Sequence, residues 1–329
     1  TNTGTLSIDG AGSSASLNLG PNQSFANQGS IDLSNGGRLD ISGTIAASGL
    51  GTIVNNGGVI GLGATLDNMG STFSAGALAQ TGTLALMSGG TIRGGIVDDA
   101  NGVMSFSGGV LDGVEYHGAL NVANGTGAYG DLTIRNGLKL LGADGVSPGM
   151  MTLSGQYYSQ VKFEGTQTFD NATIKLGDLS GYTDYMYLAG DYDQVSGQYV
   201  GTLTLGSGAV IDQDGYASIN SYYGVETLIN QGSIIVDAQD LPFYISGIDL
   251  VNEGVIAVSN GADLYIQSGS FTNAATATLS IDGQGSSAYF DAGSVIGTTA
   301  ALNGGTLSLV NIVENADSGE IDLVENAFL

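Results

Sequence analysis

The 329-residue chain predicts an all-β fold, a right-handed parallel β-helix (β-solenoid) of short glycine-punctuated strands with very little helix. Three observations carry the prediction. Similar units recur about 19–22 residues apart, each unit alternates apolar with polar residues, and Gly (56 residues) far exceeds ordinary usage while Pro is almost absent (3 residues).

The repeats come first. Residues 5–15 read TLSIDGAGSSA and residues 278–288 read TLSIDGQGSSA, ten of eleven positions agreeing. A second pattern, apolar-x-Asn-x-Gly-x-apolar, occurs as FANQGSI from Phe25, IVNNGGV from Ile53, LINQGSI from Leu228 and LVNEGVI from Leu250, with FTNAATA from Phe271 as a degenerate copy. A third is SGGTIRGGIV from Ser88 and SGGVLDGV from Ser107, echoed by NGGTLSLV from Asn303. Such steps suit one coil of a parallel β-helix built from two or three short strands, which predicts roughly 15 coils over the chain.

Within the units, Thr5-Leu6-Ser7-Ile8-Asp9 and Ser30-Ile31-Asp32-Leu33-Ser34 alternate with the two-residue period of a half-buried strand. These runs stop at NGG, SGG or DG turns, and no segment carries a capped 3.6-residue period. Because Ile31, Val59, Ile234 and Ile256 each follow an Asn-x-Gly turn, they are expected to share one interior column. From about Tyr157 to Tyr223 the signatures lapse and tyrosines crowd in. We read residues 1–329 as one continuous solenoid, part of a longer array, with longer loops across 157–223.

Composition narrows the function. With 31 acidic against 6 basic residues (net charge −25), the chain lacks the basic footprint that nucleic acid or anionic lipid requires. Absence of Cys removes disulfide scaffolds, thiol chemistry and thiolate zinc sites. No apolar run approaches the ~20 residues of a membrane helix, and no P-loop or dinucleotide-binding fingerprint is present. The start at Thr1-Asn2-Thr3, without an initiator Met or signal segment, is expected of a processed product or a fragment.

FANQGSIDLSNGG from Phe25, SGGVLDGVEYHGAL from Ser107, LTIRNGLKLLGADG from Leu132 and TFDNATIKLG from Thr168 resemble the passenger regions of large secreted bacterial repeat proteins, the filamentous-haemagglutinin-like and autotransporter-type adhesins. The resemblance implies export, display at the cell surface, and a non-enzymatic structural or adhesive role as a stiff extracellular rod. Its partners would be a host surface, a glycan or matrix component, or copies of itself. The closing residues SGEIDLVENAFL are too short for a membrane barrel, so an anchor is expected elsewhere.

Candidate residues were weighed on their own chemistry. Asn27, Asn55, Asn230, Asn252 and Asn273 read as structural turn residues, since Asn tolerates left-handed backbone and stacked amides can satisfy one another. Tyr182, Tyr185, Tyr187, Tyr192 and Tyr199 form the candidate ligand-binding patch, because aromatic faces stack on sugar rings or on a protein partner. An enzymatic alternative, a polysaccharide hydrolase or lyase, rests on Asp98-Asp99, His117-Gly118, Arg135 and Lys139, an order similar to that of pectin-degrading glycosidases. Adjacent strand residues point to opposite faces, so the acidic pair and His117 are read as coil residues facing water, with no catalytic site. Asp184, Asp191 and Asp193 could gather calcium but read as solvated acids, as does Asp212-Gln213-Asp214-Gly215. No metal and no cofactor are expected. A self-assembling filament or sheath subunit is the remaining alternative.

Overall fold

The computed structural model describes residues 1–20, 23–122, 129–155, 157–224, 226–274, 276–296, 300–303, 306–310, 313–315 and 321–324. It is all-β, 61% strand and 3% helix, with parallel strands stacked as a β-solenoid of about 11 turns. The helical pieces among the described residues are a single 3-10 turn, Ala47–Leu50, and one short α-helix, Ala75–Ala79. The chain divides into two compact units, Thr1–Met151 and Thr152–Leu329.

In the first unit, strands Thr5–Asp9, Ser30–Ser34 and Thr52–Asn56 lie parallel, Leu6 beside Ile31 beside Ile53. Alternation sorts each strand: Ile31 and Leu33 are buried while Ser30, Asp32 and Ser34 face outward. Further apolar columns run Ile41, Leu62, Leu86, Phe106 and Ile45, Leu66, Ile92, Leu111, Ile134, all buried. The SGG copies are in register, Thr91 beside Val110 and Ile92 beside Leu111.

The second unit repeats the scheme. One column holds Val161, Met186, Ile219, Ile245, Ile266 and Phe290, and another Ile174, Ile211, Ile234, Ile256 and Leu279. The two TLSIDG copies form the same local structure in the two units. Each is a five-residue strand, Thr5–Asp9 or Thr278–Asp282, followed by glycines of positive φ: Gly10 and Gly12 at 91° and 97°, Gly283 and Gly285 at 89° and 92°. Only glycine takes that conformation without strain, which is why the motif keeps both. Gly304 and Gly305 of the NGGTLSLV copy lie outside the described residues, as does Ala275 of FTNAATA.

Two expectations need correction. The turns number about 11 rather than roughly 15, because coil length is not uniform. It runs from 19 residues (Thr91 beside Val110) to 37 (Thr173 beside Val210), the longest where an antiparallel hairpin, Asp191–Asp193 with Gln198–Val200, is inserted. Val59 does not share the Ile31 column. Ile53 stands beside Ile31, while Val59 pairs with Arg38 and Thr83 and is half-exposed, its neighbour Ile60 taking the core position. The Asn-x-Gly turn at Asn55 therefore falls at a different point of the coil from that at Asn27. Ile234 and Ile256 do stand side by side, both fully buried.

Candidate functional site: an aromatic face on the second unit

Strands Ser159–Glu164, Asp184–Ala189, Ala217–Ser221, Pro242–Ser246, Asp263–Asn273 and Ser287–Ile296 succeed one another in register. Their inward residues form the Val161-to-Phe290 column. The outward residues on either side of it form two rows. One reads Gln160, Tyr185, Ser218, Tyr244, Tyr265, Tyr289, and the other Lys162, Tyr187, Asn220, Ser246, Gln267, Asp291.

Tyrosines link across this face and onto the inserted hairpin. Tyr158 meets Tyr185 edge-on at 6.3 Å, and Tyr185 stacks on Tyr187 at 5.4 Å. Tyr187 meets Tyr222 at 5.7 Å, and Tyr222 meets Tyr223 at 4.9 Å. Tyr223 stacks on Tyr199 at 3.7 Å, and Tyr199 pairs with Tyr192 across the hairpin at 5.2 Å. Offset and edge-on pairs of this kind add about 0.5–1.5 kcal/mol each beyond area burial, so the rings fasten the hairpin to the coil as well as presenting a surface. The Lys162 ammonium lies 4.9 Å from the centre of the Tyr222 ring. Glu226, fully buried, holds the loop from beneath: it accepts from Gly190 N at 2.9 Å, from Gly224 N at 3.1 Å and from the Ser221 hydroxyl.

Of the five tyrosines singled out in the sequence, Tyr185, Tyr187, Tyr192 and Tyr199 belong to this network. Tyr182 pairs with Tyr157 instead, at 5.5 Å. Tyr158, Tyr222 and Tyr223 complete the chain. Tyr244 stacks on Tyr265 at 5.1 Å, and Tyr265 lies 5.9 Å from Tyr289, extending the aromatic row beyond residue 223. That extension was readable: each of the three occupies an outward strand position one coil after the last.

Beneath the face, Asp184 is fully buried, accepting from Ser159 N. Burial pushes its carboxyl up to about 7, with the charge of Asp178 adding to the rise and the Ser159 bond opposing it. An unfolded Asp ionises near 4, so the folded state holds its proton longer. The stabilising contribution is complete below pH ~4 and is lost as pH rises toward 7. Asp184→Asn should accordingly gain on the wild type as pH is raised from 5 to 8, by about 2 kcal/mol after local relaxation. Paired thermal melts at the two pH values check this, and a constant difference between the two proteins would refute it.

The calcium candidates do not assemble. Asp184 is internal, Asp191 and Asp193 sit on the hairpin, and Asp193 caps its own turn through Val195 N and Ser196 N. Asp212 and Asp214 clamp Lys175 at 2.5 and 3.0 Å. Among the described residues, no three acidic or histidine side chains converge in a metal-binding group.

In the first unit, Asp98 stands beside His117, the two in register. Asp98 faces outward, within 3.4 Å of the Ser74 hydroxyl. Asp99 does not face water, contrary to expectation. It is fully buried, accepting from Val103 N at 2.8 Å, Met104 N at 3.2 Å and the buried Tyr116 hydroxyl at 2.5 Å. Burial raises its carboxyl above the usual range against those three donors. Its place inside follows from the turn it closes, whose amides have no other acceptor among these contacts. His117 Nε2 lies 2.7 Å from Glu115, which also holds Lys139 at 3.0 Å; these two partners lower the Glu115 carboxyl.

The asparagines divide into two geometries. Asn230 donates through Nδ2 to Asn252 Oδ1 (2.8 Å) and to Val255 O (2.9 Å), and Asn252 donates likewise to Asn273 Oδ1 (2.6 Å) and Thr278 O (3.0 Å). Asn2 donates to Asn27 Oδ1 (2.8 Å), and Asn27 to Leu50 O and Thr52 O. Asn68, which fits the motif in Leu66-Asp67-Asn68-Met69-Gly70 and was missed, makes the same pair of bonds to Gly94 O and Ile96 O. Asn55 is different: its Oδ1 accepts from Gly58 N within its own turn.

No protein family, no curated protein and no solved structure matches this chain. The class defined is a β-solenoid repeat protein. No helix among the described residues is long and apolar enough to cross a membrane.

Proposed function

We propose that this chain is a non-enzymatic adhesive display module of the large secreted bacterial repeat type, working outside the cell, with the aromatic face of the second unit as its contact surface. The observation that carries the reading is the linked run Tyr158–Tyr185–Tyr187–Tyr222–Tyr223–Tyr199–Tyr192 on one outward surface. Exposed aromatics in such numbers are costly to leave in water, and rings with a wet hydroxyl are well suited to contact surfaces. Strong acidity with few lysines supports dispersal in the extracellular medium. The turn-closing role of Asp99 weighs against its use as a glycosidase acid, since a fully buried carboxyl is out of reach of a polymer.

Beads coated with the protein should adhere to epithelial cells or to extracellular matrix. Changing Tyr185, Tyr187, Tyr222 and Tyr223 together to Ser should cut adhesion several-fold without loss of the β spectrum. Failure of the wild-type beads to adhere would remove the adhesive reading. Ordered filaments in electron micrographs would replace it with self-assembly. Glycan cleavage abolished by Asp98→Asn or His117→Ala would replace it with an enzyme.

A further inference from the structure

The aromatic row of the second unit has a gap. Tyr185, Ser218, Tyr244, Tyr265 and Tyr289 occupy equivalent outward positions on successive coils, and where consecutive positions hold tyrosine the rings lie 5.1 Å and 5.9 Å apart. At Ser218 the ring is missing. An open notch of about 510 Å³ lies there, bounded by Tyr187 on one side and Tyr244 on the other, with Ser218, Asn220 and Ser246 beneath and Gln267 at the far rim.

The dimensions and chemistry of the notch select an occupant. Coils are spaced ~4.8 Å apart, so the positions of Tyr185 and Tyr244, two coils apart, are separated by roughly 9.6 Å. A planar aromatic guest touching both walls needs about 7 Å and leaves a void on one side. A pyranose chair, thicker and bearing C–H groups on both faces, fills that width. Its rim of hydroxyls needs partners that both donate and accept, and the floor supplies them. The Ser218 hydroxyl donates to Asn220 Oδ1 at 2.8 Å, and Ser246 and the Gln267 amide stand beside it. Among the described residues lining the notch none carries a charge, and the nearby Lys162 lies over the Tyr222 ring. The net charge of −25 further disfavours an anionic guest.

We propose that this notch is a carbohydrate subsite which takes one pyranose ring of a neutral glycan between Tyr187 and Tyr244, the sugar hydroxyls bonding to Ser218, Asn220, Ser246 and Gln267. It rests on the adhesive reading only in placing the site where glycans are met. A single ring held by stacking and a few neutral hydrogen bonds gives weak binding, on the order of 0.1–1 mM; avidity across many copies on a surface would multiply it.

The test is titration of the whole chain with cello-, malto-, xylo-, manno- and chito-hexaose, with oligogalacturonate and heparin fragments as acidic comparators. Calorimetry gives the affinity, and tyrosine emission reports the site directly because the chain has no Trp. At least one neutral hexaose should bind, and more tightly than either acidic comparator. Ser218→Tyr, which completes the row and fills the notch, should weaken binding at least tenfold, and Tyr244→Ala, which removes a wall, should do the same if Ser218→Tyr fails to fold. Tyr157→Ala, in the separate Tyr157–Tyr182 pair, should bind as the wild type does. Binding of no neutral hexaose, tighter binding of an acidic one, or wild-type affinity in Ser218→Tyr or Tyr244→Ala would overturn the proposal. Beads that still adhere while no hexaose binds would leave the adhesive reading standing and the notch refuted.

Discussion

Ile234→Asp should abolish cooperative folding of the second unit at neutral pH. Ile234 is fully buried in the column Ile174, Ile211, Ile234, Ile256, Leu279, with apolar side chains on the coils to either side. A carboxylate placed there has no cation or amide donor among those column neighbours. It must either stay charged in an apolar column or raise its pKa by several units to become neutral, which costs about 5 kcal/mol or more. That compares with the whole stability of many domains. Each coil is also the template for the next, so the loss should spread to the flanking coils rather than remain local. Denaturant melts followed by circular dichroism, with amide exchange mapped along the chain, decide the matter. A wild-type-like midpoint, or exchange confined to residues near 234, would show that the column does not carry the load assigned to it. Ile235→Asp, one residue along and facing outward on the same strand, should by contrast be tolerated within about 1 kcal/mol.

The second large effect is expected at Asn252. Its amide receives a hydrogen bond from Asn230 and gives two, to Asn273 Oδ1 and Thr278 O, all in the interior. Asn252→Ala leaves one donor hydrogen on Asn230 and two acceptors without their partner. At about 1–3 kcal/mol for each stranded buried group, the change should cost about 3–5 kcal/mol. Asn55→Ala breaks a single bond to Gly58 N and should cost about 1 kcal/mol. Urea midpoints of the two variants, compared at equal m-value, test the contrast. Similar losses at both sites would mean that the ladder and the lone turn residue are energetically alike.

Much of the architecture was legible because the two-residue alternation and the glycine turns act locally. Ser30–Ser34 and the twin TLSIDG segments could be placed as strands from their own residues, and the stacking of Ile234 beside Ile256 followed from one clear repeat. Where the reading slipped, the cause was register, which a local motif does not specify. IVNNGGV looks like FANQGSI, yet the coil between them is shifted, so Val59 turned outward and Asn55 left the ladder. Asp99 was misplaced for a related reason: a carboxylate beside a turn can serve the turn's own amides, and nothing in Asp98-Asp99 says which of the two faces in. For the candidate site, the crowding of tyrosines was visible, whereas the notch was not. It depends on Ser218 standing in line with Tyr185 and Tyr244, across coils of unequal length.

The ladder from Asn230 through Asn252 to Asn273 has a consequence for how such a chain can change its length. Thr227 to Asn230 lie beside Asp249 to Asn252, and Ser233 beside Val255, at one constant offset of 22 residues. Excising residues 231–252 would join Asn230 to Glu253 and set Asn230 beside Asn273, with every inward residue still inward. Removing 21 or 23 residues instead would turn each following side chain to the wrong face. Copy-number variation in this part of the gene is therefore quantised: slippage by a whole coil yields a shorter or longer working protein, and slippage by any odd remainder yields none.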